Sequence, residues 1–348
     1  MVEEVVMLTY SYLSPGKAGF CEKEKPEIIQ SGDAVVRVTL SSICTSDLHI
    51  IHGSVPRAIA GVTLGHEAVG VVEQIGGGVK GVAVGDRVAV NVETFCGECF
   101  FCRHGWVNNC TDKDGGWALG CRIDGMQAPF VRVPHADTGL TKIPAGVTDR
   151  QALFVGDILA TGYWAADISE IGGGDNVLVL GGGPTDVCCA LCADIMGANV
   201  VLCEKNEGRD EFLRKNFPSL KVVSPEEAEK ICAAFPHGGA DRVIEAAGGE
   251  DTFQTAWKLA RPNAIVTVVA MYDKPQTLPL PDMYGKNLTF KTGGVDGNKC
   301  GEILSLIAQG KLDTAPLITH TFSFDELDKA YKLFSSRADG VMKVAVTY

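Results

Sequence analysis

Basic residues are scarce in this chain. Among 348 residues, 31 lysines and arginines face 43 aspartates and glutamates, a formal net charge of −12. A surface of that sign repels polyanions, so a nucleic-acid partner is excluded, and only a local basic spot is left for a small anionic cofactor. No apolar run approaches the ~18 residues that a membrane-spanning helix needs, so no membrane partner is expected. The start, MVEEVVMLTYSYL, lacks a basic segment and is interrupted early by acids, which argues against a secretory leader. Internal repeats and low-complexity stretches are missing too, which sets aside repeat arrays and disordered linkers.

Cysteine, in contrast, is plentiful. There are 13, an odd number in a long chain, whereas secreted disulfide scaffolds are short and evenly paired. A reducing, cytoplasmic setting is expected. Cys96, Cys99, Cys102 and Cys110 crowd into CGECFFCRHGWVNNC. Thiolates this close cannot all form unstrained disulfides, but they can surround one tetrahedral Zn²⁺. A site closed by four thiolates has no open position, so it holds a loop and does no chemistry. Cys188, Cys189 and Cys192, in CCALC, read as small apolar residues on a buried helix.

The pattern of apolar residues changes along the chain. Up to about residue 150 it is β-rich, with DAVVRVTLSSI, GHEAVGVVEQIG and GDRVAVNV separated by glycine turns. Arg150 to Glu170 reads as helix. Then NVLVLGGG, NVVLCEK, LKVVS, DRVIEAAGG, AIVTVVAMY and NLTFKTG alternate with helical stretches, the signature of a doubly wound parallel sheet. The tail returns to helix and strand.

A second metal site would need three protein ligands and an open fourth position. ICTSDLH offers Cys44, Ser46, Asp47 and His49; LGHEAVG offers His66 and Glu67. Taken alone, His66 reads equally as a structural histidine. GHEAVGVVEQIGGGV, however, matches the signature G-H-E-x2-G-x5-G-x2-V. With CTSDLH before it and the four-cysteine loop after it, the chain resembles the zinc-containing medium-chain alcohol dehydrogenases nearly end to end.

That resemblance implies an α/β protein: a GroES-like β-rich catalytic domain over 1–154 with its zinc loop at 96–110, a Rossmann NAD-binding domain with a doubly wound parallel sheet over 155–290, and a C-terminal part, 291–348, completing the catalytic domain. It implies two Zn²⁺ per subunit, one catalytic and one structural. Cys44 and His66 would be ligands of the catalytic zinc, and Glu67 a neighbouring carboxylate or exchangeable ligand. The third ligand falls on Asp157, four residues before Thr161, as in the bacterial secondary-alcohol dehydrogenases and some formaldehyde dehydrogenases. Asp157 also reads as a helix N-cap beside Gly156. Asp47 would orient His66, and Ser46 and His49 would relay the alcohol proton. Val92 and Trp117 would line the substrate pocket.

The cofactor motif is imperfect. LVLGGGPTDVCC follows a strand and opens a helix, as a dinucleotide fingerprint should. Gly181 and Gly183 fill two glycine positions, with Gly182 between them and Pro184 after, but Asp186 occupies the third. Glu204 ends the next strand, where a carboxylate accepts the ribose hydroxyls of NAD. A carboxylate there repels a 2′-phosphate, so NAD(H) is favoured over NADP(H), while Lys205 and Arg209 leave NADP open. The resemblance puts Thr161, Val268 and Val269 beside the nicotinamide; the two valines read equally as buried strand residues. The expected activity is hydride transfer between an alcohol, secondary or polyol, and NAD(H), the reverse reducing a ketone or aldehyde. The alternative is a non-catalytic, zinc-scaffolded relative with cofactor binding impaired by Asp186. A homodimer or homotetramer is implied, with NLTFKTGG a candidate interface.

Overall fold

The computed structural model describes residues 6–272, 274–338 and 340–348. The chain forms two compact units, one of residues 1–160 with 296–348 and one of residues 161–295.

The first unit is built on antiparallel strands. β1 (Val6–Ser14) and β2 (Lys17–Glu24) form a hairpin that turns at Gly16, whose φ is +80°. β3 (Ala34–Ile43) is central, pairing with β4 (Ala68–Ile75) and with β8 (Phe130–Val133). β4 continues to β5 (Arg87–Val90), and β5 to β9 (Leu140–Lys142). Between them β6 (Glu93–Thr94) and β7 (Gly116–Trp117) form a separate two-stranded ladder that brackets the cysteine loop.

The second unit is a parallel sheet of six strands: β10 (Asn176–Leu180), β11 (Asn199–Cys203), β12 (Lys221–Val223), β13 (Ala240–Glu245), β14 (Ala260–Val268) and β15 (Thr289–Thr292). NVLVL in β10 is almost continuously apolar because helices cover both of a parallel sheet's faces. The spatial order, β12-β11-β10-β13-β14-β15, reverses direction between β10 and β13. That is the Rossmann order, and a ligand crevice lies outside the carboxyl ends of the strands at such a switch. Cys188, Cys189 and Cys192 are buried on the helix Pro184–Ile195, as small core residues.

The chain then returns to the first unit. The helix Leu327–Ser336 buries Leu327, Ala330, Tyr331 and Phe334, one face at helical spacing, against a core that includes Val344 and Val346. Each fully buried large apolar side chain contributes about 1.5–3 kcal/mol. β17 (Lys343–Thr347) pairs antiparallel with β3 and parallel with β16 (Ile318–Ser323), which adds two strands to the sheet.

One expected element is broken. Arg150 to Glu170 is not a single helix: a short helix, Asp149–Ala152, and a longer one, Ile158–Ile168, flank turns over 153–157. The cause is Gly156. A Cβ there would lie 1.8 Å from the Val90 carbonyl oxygen, and the Gly156 carbonyl accepts the Val92 N–H at 3.0 Å. Docking against β5 has taken the backbone out of the helix.

Candidate functional site

Cys44 stands where β3 ends and the helix Thr45–Ile51 begins. Its N–H donates to Asp47 Oδ2 at 2.9 Å, which caps the helix. The other oxygen, Asp47 Oδ1, accepts the Gly65 N–H at 3.3 Å and lies 3.1 Å from His66 Nδ1. One buried carboxylate therefore ties the Cys44 corner to the Gly65–His66 loop and turns Nε2 of His66 inward. Gly65 has φ +90°, and a Cβ there would meet the Gln127 main-chain nitrogen at 2.9 Å, so the loop requires glycine. Asp157, presented by the broken helix, places Oδ2 3.3 Å from His66 Nε2.

The ligand atoms of Cys44, His66 and Asp157 all lie within 4.8 Å of one another. Tetrahedral zinc, with bonds of about 2.0–2.3 Å, needs ligands roughly 3.3–3.8 Å apart, so a small movement suffices. Burial alone would push the His66 imidazole down, but the Asp47 and Asp157 carboxylates outweigh it and hold it well above its usual value. Burial opposes charge on Asp157 too, yet His66 and then Lys343 keep it below the usual carboxylate range. A thiol, an imidazole and a carboxylate converging in a buried, negatively biased site suit a divalent cation.

Glu67 is not among those three donors. Its Oε2 pairs with Lys343 Nζ, which also donates to the Ile43 carbonyl at 2.9 Å. Both side chains are buried. Burial raises the Glu67 carboxyl to about 7, against the opposing pull of Lys343. Lys343 was missed from sequence, although a lysine inside the apolar run VMKVAVTY was a signal. Ser46 Oγ lies 4.0 Å from Cys44 Sγ. His49, half-buried, is three residues further along the same helix and so shares its face. Trp117 sets its ring edge-on to His66, with centroids 5.7 Å apart, while Val92 is buried beside Gly156.

The four remaining thiols of interest converge independently. Cys99 Sγ is 3.4 Å from Cys102 Sγ, Cys96 Sγ is 4.0 Å from Cys102 Sγ, and Cys110 Sγ is 3.6 Å from Cys96 Sγ. These separations far exceed a disulfide bond of about 2.05 Å, and they bracket the roughly 3.75 Å expected for thiolates around zinc. Main-chain N–H groups of Glu98 and Cys99 point at Cys96 Sγ, at 3.5 and 3.4 Å. Backbone donation, first from Cys102, draws the Cys99 thiol down to about 5. The cluster fits a structural zinc.

In the second unit the loop Gly181–Gly183 joins β10 to the helix Pro184–Ile195. Gly181 has φ +104°, and a Cβ there would meet the Asp186 carboxylate at 2.6 Å. Asp186 folds back on its own loop: Oδ2 accepts the Gly183 N–H at 2.6 Å. Burial holds its carboxyl well above the usual range against that hydrogen bond, with the Glu245 and Glu204 carboxylates adding to the rise. That shift favours the neutral acid, which would set no like charge beside a dinucleotide's phosphates. Glu204, also buried, follows β11; its oxygens accept from Asn206 N–H at 2.7 Å and Arg209 Nη1 at 3.0 Å. Lys205 is exposed beside it. Val268 and Val269 are half-buried at the carboxyl end of β14, and Thr161 is half-buried on the helix Ile158–Ile168. This glycine loop and helix N-terminus, at the switch point of the sheet, fit a dinucleotide.

Two family models match: the alcohol dehydrogenase GroES-like domain over residues 30–145, and the zinc-binding dehydrogenase domain over residues 187–309. An alcohol dehydrogenase of Cupriavidus necator is 32% identical, over 96% of this chain and 97% of that protein. The zinc-dependent alcohol dehydrogenase 2 of Streptococcus pneumonia, solved in its apo form, is 33% identical, with TM-score 0.89 over 98% of both chains. An E. coli alcohol dehydrogenase solved with NADH is 26% identical, with TM-score 0.87 over 99% of both chains.

Proposed function

The chain belongs to the zinc-dependent medium-chain alcohol dehydrogenases, and from that we propose that it interconverts an alcohol, secondary or polyol, and its ketone or aldehyde with NAD(H), using one catalytic and one structural zinc. The observation that carries the reading is the convergence of Cys44, His66 and Asp157 in one buried cluster.

Those three residues hold the catalytic metal, and Cys96, Cys99, Cys102 and Cys110 hold the structural one. Bound zinc would lower the pKa of the alcohol oxygen, and the nicotinamide would accept or return the hydride. The protein's own groups do the rest. Asp47 fixes the His66 ring, so its ligating nitrogen keeps one direction. Lys343 neutralises Glu67 and holds it back from the three donors. Ser46 takes the proton of the reacting hydroxyl and His49 passes it to water. Gly181, Gly182 and Gly183 let main chain approach the pyrophosphate, with Pro184 starting the helix whose N-terminus attracts it. Thr161, Val268 and Val269 bound the nicotinamide.

The preference for NAD(H) rests on Glu204, since a carboxylate accepts ribose hydroxyls and repels a 2′-phosphate. Arg209 and Lys205 moderate that repulsion. β15 forms one edge of its sheet, which supports pairing between two copies in a homodimer or homotetramer. No helix among the described residues is long and apolar enough to cross a membrane. None of the thirteen cysteines is joined to another in a disulfide, which supports a cytoplasmic enzyme.

Calorimetric titration of the zinc-loaded protein with NADH and with NADPH tests the reading without a known substrate. Tight NADH and weak NADPH binding is expected. The reverse order would overturn the role of Glu204, and no binding of either would make Asp186 a disabling change and the protein a non-catalytic scaffold.

A further inference from the structure

Among the buried polar atoms that lack a hydrogen-bond partner, two belong to residues directly opposite each other on one β ladder. Glu93 is 3% exposed, and its Oε2 lacks any hydrogen bond. Trp117 Nε1, a donor, is likewise buried and unmatched. The two residues are direct cross-strand partners in the β6–β7 ladder, so their side chains share a face. That face looks onto the metal cluster, because the Trp117 ring is edge-on to the His66 imidazole. Glu93 also feels the charge of Asp157, the third donor of the cluster. The Glu93 main chain is held by its own N–H, which donates to Asn91 Oδ1 at 3.0 Å, and Asn91 is anchored in turn to the Gly297 carbonyl.

An unmatched buried polar atom is costly, because it has lost its hydrogen bonds to water without replacing them. Two of them, an acceptor and a donor on neighbouring strands, match the needs of one hydroxyl, which both donates and accepts. Charge narrows the choice further. The Arg57 guanidinium lies over the Trp117 ring, 4.9 Å from its centroid, and disfavours a cationic ligand. Glu93 and Asp157 disfavour an anionic one. Burial raises the Glu93 carboxyl to about 8, against Arg57, and in either protonation state an acceptor oxygen remains.

We propose that Glu93 and Trp117 together bind a second, non-reacting hydroxyl of the substrate, so that the protein acts on diols or polyols in preference to simple monohydroxy alcohols. This rests on the dehydrogenase reading above and narrows its substrate class. The roles are in positioning: Glu93 accepts the second hydroxyl's proton, and Trp117 Nε1 donates to its oxygen. Every polyol oxygen not near these two groups is left to water.

The test compares propane-1,2-diol with propan-2-ol, in wild type, Glu93→Leu and Glu93→Gln. Two readouts are taken: kcat/KM with NAD⁺ and with NADP⁺, and tryptophan fluorescence on titrating each alcohol into zinc-loaded protein with NADH bound. Wild type is expected to favour the diol by about 10–100-fold, which two neutral hydrogen bonds of roughly 0.5–1.5 kcal/mol each, one to Glu93 and one from Trp117, supply together. The diol, not the monohydroxy alcohol, should change the fluorescence saturably, and Trp117→Phe should abolish the change. Glu93→Leu should reduce the diol preference to within about 3-fold, whereas Glu93→Gln, which keeps an acceptor, should retain most of it. Equal use of both alcohols by wild type, or an undiminished preference in Glu93→Leu, would overturn the proposal while leaving the dehydrogenase standing. No oxidation of either alcohol with either cofactor, together with no cofactor binding, would overturn both.

Discussion

At the scale of the residue, the site depends on groups that touch no ligand. Asp47 serves two loops with two oxygens, and Lys343 balances a carboxylate one position from a metal donor. Replacing a member of a buried ion pair leaves the other charge uncompensated, at about 3–5 kcal/mol. Lys343→Met should therefore lower the unfolding free energy by about that amount in chemical denaturation. Adding Glu67→Gln should recover most of the loss, because no bare charge then remains; a double variant as unstable as the single one would show that Lys343 acts through packing alone. The three donors that the fold brings together, Cys44, His66 and Asp157, were legible from spacing and resemblance. Lys343 was not, because its importance comes from Glu67, 276 positions away.

At the scale of the element, two departures from local pattern shape the sites. Helical periodicity continues through residues 153–157, yet Gly156 is drawn against the Val90 carbonyl and the helix opens to present Asp157. Gly156→Ala should cost at least about 1–3 kcal/mol from overpacking and should lower zinc content toward one per subunit, measured by thermal unfolding and metal analysis. Wild-type stability with two zincs would remove the glycine from this role. The other departure is Asp186. Burial makes the folded state hold its proton, while the unfolded chain releases it near the ordinary value of about 3.9. The folded state then binds more protons, so this carboxyl makes stability fall as pH rises above about 4, until the raised folded value is passed. Asp186→Asn keeps an acceptor for the Gly183 N–H and has no proton to lose. Its stability relative to wild type should rise from pH 5 to pH 8; a constant difference across that range would show Asp186 ionised in the fold.

At the scale of the whole molecule, the chain divides its work between an antiparallel unit that carries both metal clusters and a parallel sheet that carries the dinucleotide loop. The cysteine loop is closed by β6 and β7, strands of only two residues each, which give it little structure of its own. A structural metal contributes directly to folding, since the unfolded chain lacks the preformed site. Dialysis against a zinc chelator should first remove the catalytic metal, with its three protein donors, and abolish turnover with little change in Tm. Removal of the second zinc should then lower Tm by several degrees, about 2–4 °C for each kcal/mol lost in domains of this size. Loss of both metals in a single step with one melting change would contradict separate roles.

Much was determined by sequence alone, because some chemistry is local. Four thiols in fifteen residues can reach one ion whatever the rest of the fold does, and unbroken apolar runs alternating with helices admit little besides a parallel sheet. The helix-opening motif LVLGGGP likewise carries its meaning in its own backbone. Other features required the tertiary structure, because they arise from atoms distant in the chain. Only packing of Gly156 on Val90 broke the helix, only the return of β17 beside β3 brought Lys343 to Glu67, and only the β6–β7 ladder set Glu93 opposite Trp117 with both polar atoms unmatched. Local spacing can specify which donors are available; burial and long-range contact decide which charges are paired and which are left for a ligand.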